Sequence, residues 1–283
     1  MPLKCYFRVF YTFGVMMFAR WALSISALGV IGAFGATLLS DPADPGVIRI
    51  IHVGRRASFG LILACILIIA AQLNNWFGTA GFTDAANVWT MLSITLWGLH
   101  WTWLAAVALA TAIVFTIAGH RPRIWIYASG AAAVGVALTA PLIGHGGTHD
   151  ALIAALHRAH LLGAGLWMGS LMVALMAGVG DTPRLLLSLR RFAPIAMTGA
   201  LLIVASGLTL AWQHLTPIST LWSSEYGQVL LAKLAGVLIV ASLGFVNWRR
   251  PRLRVVIAEV TVAIVVVLAL TALLSEVQMP GGH

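Results

Sequence analysis

Residues 141–178, PLIGHGGTHDALIAALHRAHLLGAGLWMGSLMVALMAG, carry imidazoles and thioethers at spacings that suit a soft or borderline metal ion. The loop GHGGTH holds His145 and His149, and its glycines let the backbone bend around a ligand. His157 and His160, three residues apart, fall on neighbouring positions of one helix face. Met168, Met172 and Met176 follow at four-residue steps, a slowly drifting stripe on the same helix. Neutral imidazole suits copper, zinc and iron, and thioethers favour Cu(I). Each feature also has a plainer reading. A single mid-helix histidine is more often a hydrogen-bonded core residue, methionine is a common gap-filler, and Asp150 is better placed to cap a helix than to ligate. Two histidines at helical spacing beneath two more in a loop favour binding; the methionine series favours packing.

Further candidates lie elsewhere. His160 sits about ten residues into its helix, hence ~15 Å deep. An imidazole at that depth in a membrane must face the bundle interior and find a partner. His100, about twelve residues into the third apolar run, is expected at a similar depth. If the two helices are neighbours, His100, His157 and His160 can converge on one ion; otherwise each bonds a hydroxyl such as Thr95 or Ser206. The C-terminal residues Met279 and His283 are able to assist capture, though a terminal segment is by default loosely held. Lys233, Glu259 and Arg158 are ionisable groups within apolar runs. Such groups are functional candidates in a membrane, but Lys233 can snorkel, Glu259 lies near a helix end, and Arg158 points away. Were proton movement coupled to transport, Glu259 is the first residue to test. No Walker-type phosphate loop is present, so ATP is not the expected driving force, and a transporter is expected rather than an enzyme.

The elements that must position these residues follow from composition. Only 9% of residues are charged, where a soluble domain carries about a quarter, and the mean hydropathy is +0.97. Continuous apolar runs predict an all-α polytopic bundle, a single integral membrane domain over 1–283 with helices at about 18–40, 57–76, 87–118, 123–143, 151–179, 186–213, 226–247 and 253–277. These runs lack the alternation of a β-barrel. Residues 5–20 are read as an interfacial helix or a lead-in to the first span, not as a cleaved signal peptide. The net charge of +9 resides in clusters between spans: Arg49, Arg55 and Arg56; Arg121 and Arg123; Arg184, Arg190 and Arg191; Arg249, Arg250, Arg252 and Arg254. That pattern orients helices in anionic lipid and does not point to nucleic acid. It makes the odd connections cytoplasmic and both termini external, against Lys4, Arg8 and Arg20. The loop of His145 and His149 then faces outward with Met279 and His283. Cys5 and Cys65 stand far apart and suggest no disulfide framework. Trp76, Trp89, Trp125, Trp212, Trp222 and Trp248 fall near span ends, as interfacial belts do, whereas Trp97, Trp101, Trp103 and Trp167 are deeper and fill space between helices.

The segment HRAHLLGAGLWMGSL, with His160, Trp167 and Gly169, resembles the histidine-to-tryptophan-glycine motif of the copper resistance protein D family. The GHG at 144–146 is similar to its upstream glycine-histidine. RRFAPIAMTGALLIVASGL looks like that family's next helix through Phe192, Ser206 and Gly207. EYGQVLLAKLAGVLIVASLGFVNWRR is similar through Tyr226, Gly227, Lys233 and Asn247, and Glu259 follows an arginine-rich turn as in the family. The resemblance covers about 141–283 and is looser before it, where Arg20 and TLWGLHW carry it. It implies an eight-helix inner-membrane protein handling copper ions, Cu(I) or Cu(II), from periplasm toward cytoplasm, beside a separate periplasmic copper chaperone. A membrane protein with haem held by axial histidines, and a copper-binding component without transport, are the alternatives.

Overall fold

The computed structural model describes residues 3–40, 46–78, 84–118, 122–143, 150–178, 185–186, 189, 191–214 and 219–277. Among them every regular element is a helix. Eight helices are long and apolar enough to cross a bilayer: Phe13–Leu38, Gly46–Phe77, Leu96–Ile117, Ile124–Leu142, Ala151–Ala177, Ala193–Gln213, Glu225–Arg249 and Leu253–Leu274. The chain is a multi-pass membrane protein, and the expected all-helical bundle is what forms. In chain order the helices are α1 (Leu3–Leu38), α2 (Gly46–Phe77), α3 (Ala85–Ile94), α4 (Leu96–Ala118), α5 (Pro122–Thr139), α6 (Ala151–Ala164) and α7 (Ser170–Ala177). There follow α8 (Ala193–His214), α9 (Glu225–Arg249), α10 (Leu253–Val262) and α11 (Leu268–Leu274). Helices satisfy their own backbone, the requirement that hydrocarbon imposes. Hydroxyls inside them turn back on the preceding turn, as Ser24 does to the Arg20 carbonyl, Thr37 to Ala33 and Ser58 to Gly54.

The bundle is organised around α1, against which α2, α5, α7 and α11 all pack. Two apolar cores result. One joins α1, α2, α4, α5 and α7 around Val30, Ile31, Leu61, Trp101, Phe115 and Trp125. The other joins α7 to the last three spans around Trp167, Leu171, Met172, Val240, Val256 and Val260. Residues 5–20 lead straight into the first span as part of α1. Arg20, which as a bare charge opposes the expected orientation, forms an ion pair with Glu276 just past the last helix. The second helix starts at Gly46 rather than 57 and takes Arg49, Arg55 and Arg56 into its first turns. At 32 residues it is ~48 Å long against a hydrocarbon core of ~30 Å, so those basic turns can extend beyond the core.

The structure departs from the sequence expectation in four further places. The third apolar run is two helices, broken at Thr95, whose backbone is extended at φ −89° and ψ 141°. The Thr95 hydroxyl accepts from the Gly98 amide at 2.9 Å and so caps α4, while Gly98 has no side chain to collide with the Met91 carbonyl. Trp125, expected in an interfacial belt, is fully buried. Its indole donates to the Thr37 hydroxyl at 2.7 Å and its ring lies 4.7 Å from that of Phe115. Trp103, expected between helices, is 58% exposed instead. Finally, two spans contain a π-helical turn, at Gly165–Gly169 between α6 and α7 and at Ala263–Val267 between α10 and α11. A π turn displaces carbonyls from their usual partners. Here the Ser170 hydroxyl reaches Gly165 O at 3.4 Å, and the Trp21 indole donates to Ile264 O at 2.8 Å from α1. Gly169 also lets its turn lie directly on α1, since a Cβ on Gly32 would collide with the Gly169 carbonyl and one on Gly169 with the Leu28 carbonyl.

Candidate functional site

His160 is where chemistry, burial and packing meet. It lies on α6 facing α8, with Nδ1 3.1 Å from the Ser206 hydroxyl. The Ser206 hydroxyl has one proton, and that proton points 2.5 Å to the Leu202 carbonyl of its own helix. Toward His160 the oxygen can therefore only accept, which places the imidazole proton on Nδ1 and leaves a lone pair on Nε2. An imidazole oriented in this way through its other nitrogen is the arrangement that metal-ligating histidines adopt. Gly207 makes room for the ring: a Cβ there would stand 3.2 Å from His160 Cε1. The two helices approach closely because Gly163 of α6 and Gly199 of α8 meet backbone to backbone.

His157, one turn before His160, is half-buried, and both it and Lys233 of α9 lie within electrostatic reach of the His160 ring. Lys233 is therefore not simply a snorkelling surface residue. Arg158 turns away, its Nε donating to the Leu138 carbonyl on α5 at 3.3 Å. Asp150 caps α6 by accepting from the Leu152 and Ile153 amides, the plainer of its two expected roles. His145, His149, Met279 and His283 lie outside the described residues.

The convergence of His100 with His157 and His160 does not occur. The break at Thr95 puts His100 only four residues into α4, ~6 Å along the helix, whereas His160 is nine residues into α6. α4 packs on α2 and α5, and α5 stands next to α6. Among the described residues no three His, Cys, Asp or Glu side chains gather as metal ligands. Thr95, an alternative partner for His100, spends its hydroxyl on the Met91 carbonyl at 2.6 Å. Ser206 is the hydroxyl partner that sequence did identify. The methionine series divides by environment: Met172 is buried in the second core, Met168 borders it, and Met176 is 48% exposed. Packing accounts for Met172 and Met168, and the π turn at Gly165–Gly169 contains Met168 and precedes the other two.

A second polar cluster lies where α7, α9 and α10 meet. Glu259 is 1% exposed, although only six residues from the start of its helix. The Asn247 amide donates to Glu259 Oε2 at 3.4 Å, and Trp167 hydrogen-bonds the same carboxyl. Gly244 admits the carboxyl to this place, since a Cβ there would lie 3.0 Å from Oε1 and 3.4 Å from the Trp167 ring. Sequence reasoning reached Glu259 but not its partners. Asn247 and Trp167 are separated from it in the chain, and their only signal was a shared position in the family pattern.

The copper resistance protein D family model matches residues 186–274, the stretch that includes α8 to α11 with Ser206, Gly207, Lys233, Asn247 and Glu259. His157 and His160 precede the matched stretch. No curated protein and no solved structure matches the chain.

Proposed function

Taking the copper resistance protein D match over 186–274 as the premise, we propose that this chain carries copper ions across a bacterial inner membrane, from periplasm to cytoplasm. His160 is the central ligand, and the observation that carries this is its half-buried imidazole held through Nδ1 by Ser206, with Nε2 left as a donor. His157 adds a second imidazole one turn away. The loop histidines His145 and His149, with Met279 and His283, supply capture on the periplasmic side, where a separate chaperone would deliver the ion.

A transport site must hold its ion weakly enough to release it. Two histidines are a sparse ligand set, and Lys233, while charged, repels a cation at His160. Both properties suit transit better than storage.

The test is copper accumulation in cells expressing the chain, with flux into proteoliposomes beside it. His160→Ala should abolish both at unchanged expression. Unchanged accumulation in that variant would remove His160 from the pathway, and binding that saturates without accumulation in the wild type would make the chain a binder rather than a transporter. A Soret band with stoichiometric iron in the purified protein would replace copper by haem.

A further inference from the structure

The cluster around Glu259 is built differently from the imidazole site. It holds one carboxyl at 1% exposure, one carboxamide at 8% and one indole at 9%, inside the apolar core of the second half of the bundle. Its hydrogen bonds do not close. Asn247 Nδ2 donates to Glu259 Oε2, but Asn247 Oδ1 is buried without a partner. A buried acceptor without a donor costs about 1–3 kcal/mol, and more in a setting that excludes water. The one side chain in hydrogen-bonding contact with that amide is Glu259, and as a carboxylate it offers no proton.

We propose that Glu259, Asn247 and Trp167 form a reversible proton-binding site. With a proton on the carboxyl, Glu259 and Asn247 close an acid–amide pair: Nδ2–H to Oε2 in one direction, and the Glu259 hydroxyl to Oδ1 in the other. The orphaned acceptor is then satisfied. With the proton gone, the carboxylate keeps two donors, the Asn247 amide and the Trp167 indole. With the proton bound the partner set is complete; with it gone the carboxylate keeps its donors and Asn247 Oδ1 is the atom left without one.

Among the described residues, no charged side chain acts on the carboxyl. α10 packs on α7, α9 and the π turn Ala263–Val267, and Leu185, Leu189 and Phe192 join the same apolar core, with the adjoining Arg191 exposed. α7 and the π turn carry no titratable side chain. On α9, Arg249 is exposed and stacks over Phe245 and Trp248, 5.2 and 5.6 Å from their ring centroids. Lys233, Tyr226 and Glu225 of α9 precede Gly244 by at least eleven residues, ~16 Å along the axis. On the carboxyl's own helix and its cap, Arg252 and Arg254 are exposed. A proton is thus the partner that the cluster itself calls for.

Two π turns bracket the cluster. Trp167 sits within the first, and Glu259 lies four residues before the second. Trp167 is also seven residues beyond His160 on the same span, ~10 Å along it. A change of protonation at Glu259 therefore acts on a turn continuous with the helix that holds the imidazole. The link to copper movement rests on the transport reading above; the proton site does not.

Infrared difference spectroscopy of the protein in lipid, titrated with pH in the absence of copper, tests the site directly. A protonated-carboxyl C=O band should appear and disappear with pH, and should be lost in Glu259→Gln, which keeps the shape and an amide–amide pair. Asn247→Leu and Trp167→Phe should each displace the pH at which the band titrates. A wild type with no pH-responsive band assignable to Glu259 overturns the proposal, as does a band whose titration neither neighbour's variant moves. Because the measurement uses no metal, its failure is separate from failure of copper transport.

Discussion

Replacing Ser206 by alanine tests the reasoning about His160 at its narrowest point. The substitution removes one oxygen from a site that is 2% exposed and leaves the backbone partners, Leu202 and Ile203, in place. Hydrogen bonds between membrane helices average ~0.6 kcal/mol and reach ~1.7 kcal/mol, so the fold should survive with a modest fall in thermal stability. The effect on metal binding should be larger. Losing the group that fixes the outer nitrogen of a ligating histidine typically costs 10- to 100-fold in affinity, about 1.4–2.8 kcal/mol. The reason is specific to the geometry: without Ser206 the ring can rotate, and its proton is free to sit on Nε2, the atom proposed to bind. The assay is a Cu(I) competition titration with a chromophoric chelator on purified wild type, Ser206→Ala, Ser206→Thr and His160→Ala. Threonine keeps the hydroxyl and should lose less than alanine. If Ser206→Ala binds as the wild type does while His160→Ala does not, the tautomer argument is wrong. If His160→Ala also binds normally, the site itself is wrong.

Other consequences are as direct. His100→Ala should leave copper affinity within about twofold of the wild type, an interval far below the 10-fold cost expected at a linked group, because α4 does not bring it to His160; a loss comparable to His160→Ala would contradict the packing. Gly207→Leu should displace the imidazole, since even the first carbon of the new side chain stands 3.2 Å from the ring, and the titration above should then show weakened copper binding in a folded protein; normal affinity would mean the ring has another resting place. Arg20→Ala and Glu276→Ala, combined in a double-mutant cycle read by thermal unfolding, should show coupling on the order of 1 kcal/mol, with both side chains less than a fifth exposed. Additive single effects would reduce that ion pair to a bystander.

What the sequence disclosed depends on whether the responsible interactions are local. The number of spans was legible because hydrocarbon thickness sets helix length, and Asp150 as a cap was legible because capping spans three residues. The burial of Trp125 was not, because it is decided by Thr37 and Phe115 on other helices. The break at Thr95 was hidden for a different reason. Its flanks, SITLW, are apolar enough to continue a span, and only the contact of Gly98 with Met91 reveals why the chain turns there. That single break moved His100 toward the end of its helix and dissolved the three-histidine convergence. The position of His160 along its helix was legible because the sequence placed that helix start correctly.

The two polar clusters obey one rule from opposite sides. Each is a group that hydrocarbon disfavours, admitted by a glycine that vacates the space beside it: Gly207 for the His160 ring and Gly244 for the Glu259 carboxyl. Each is oriented by a neutral hydrogen-bonding side chain, Ser206 or Asn247, rather than by a counter-ion. A counter-ion would fix the charge state of its partner and leave nothing to exchange. A hydroxyl or an amide constrains position while leaving the exchangeable valence open, the lone pair of Nε2 in one case and a carboxyl oxygen in the other. The helix between them is interrupted by a π turn held against Gly32 and Gly199, close contacts that admit discrete repacking more readily than gradual bending. The open valences and the interrupted helix thus fall in the same half of the molecule, the half in which the proposed ion movement is to be tested.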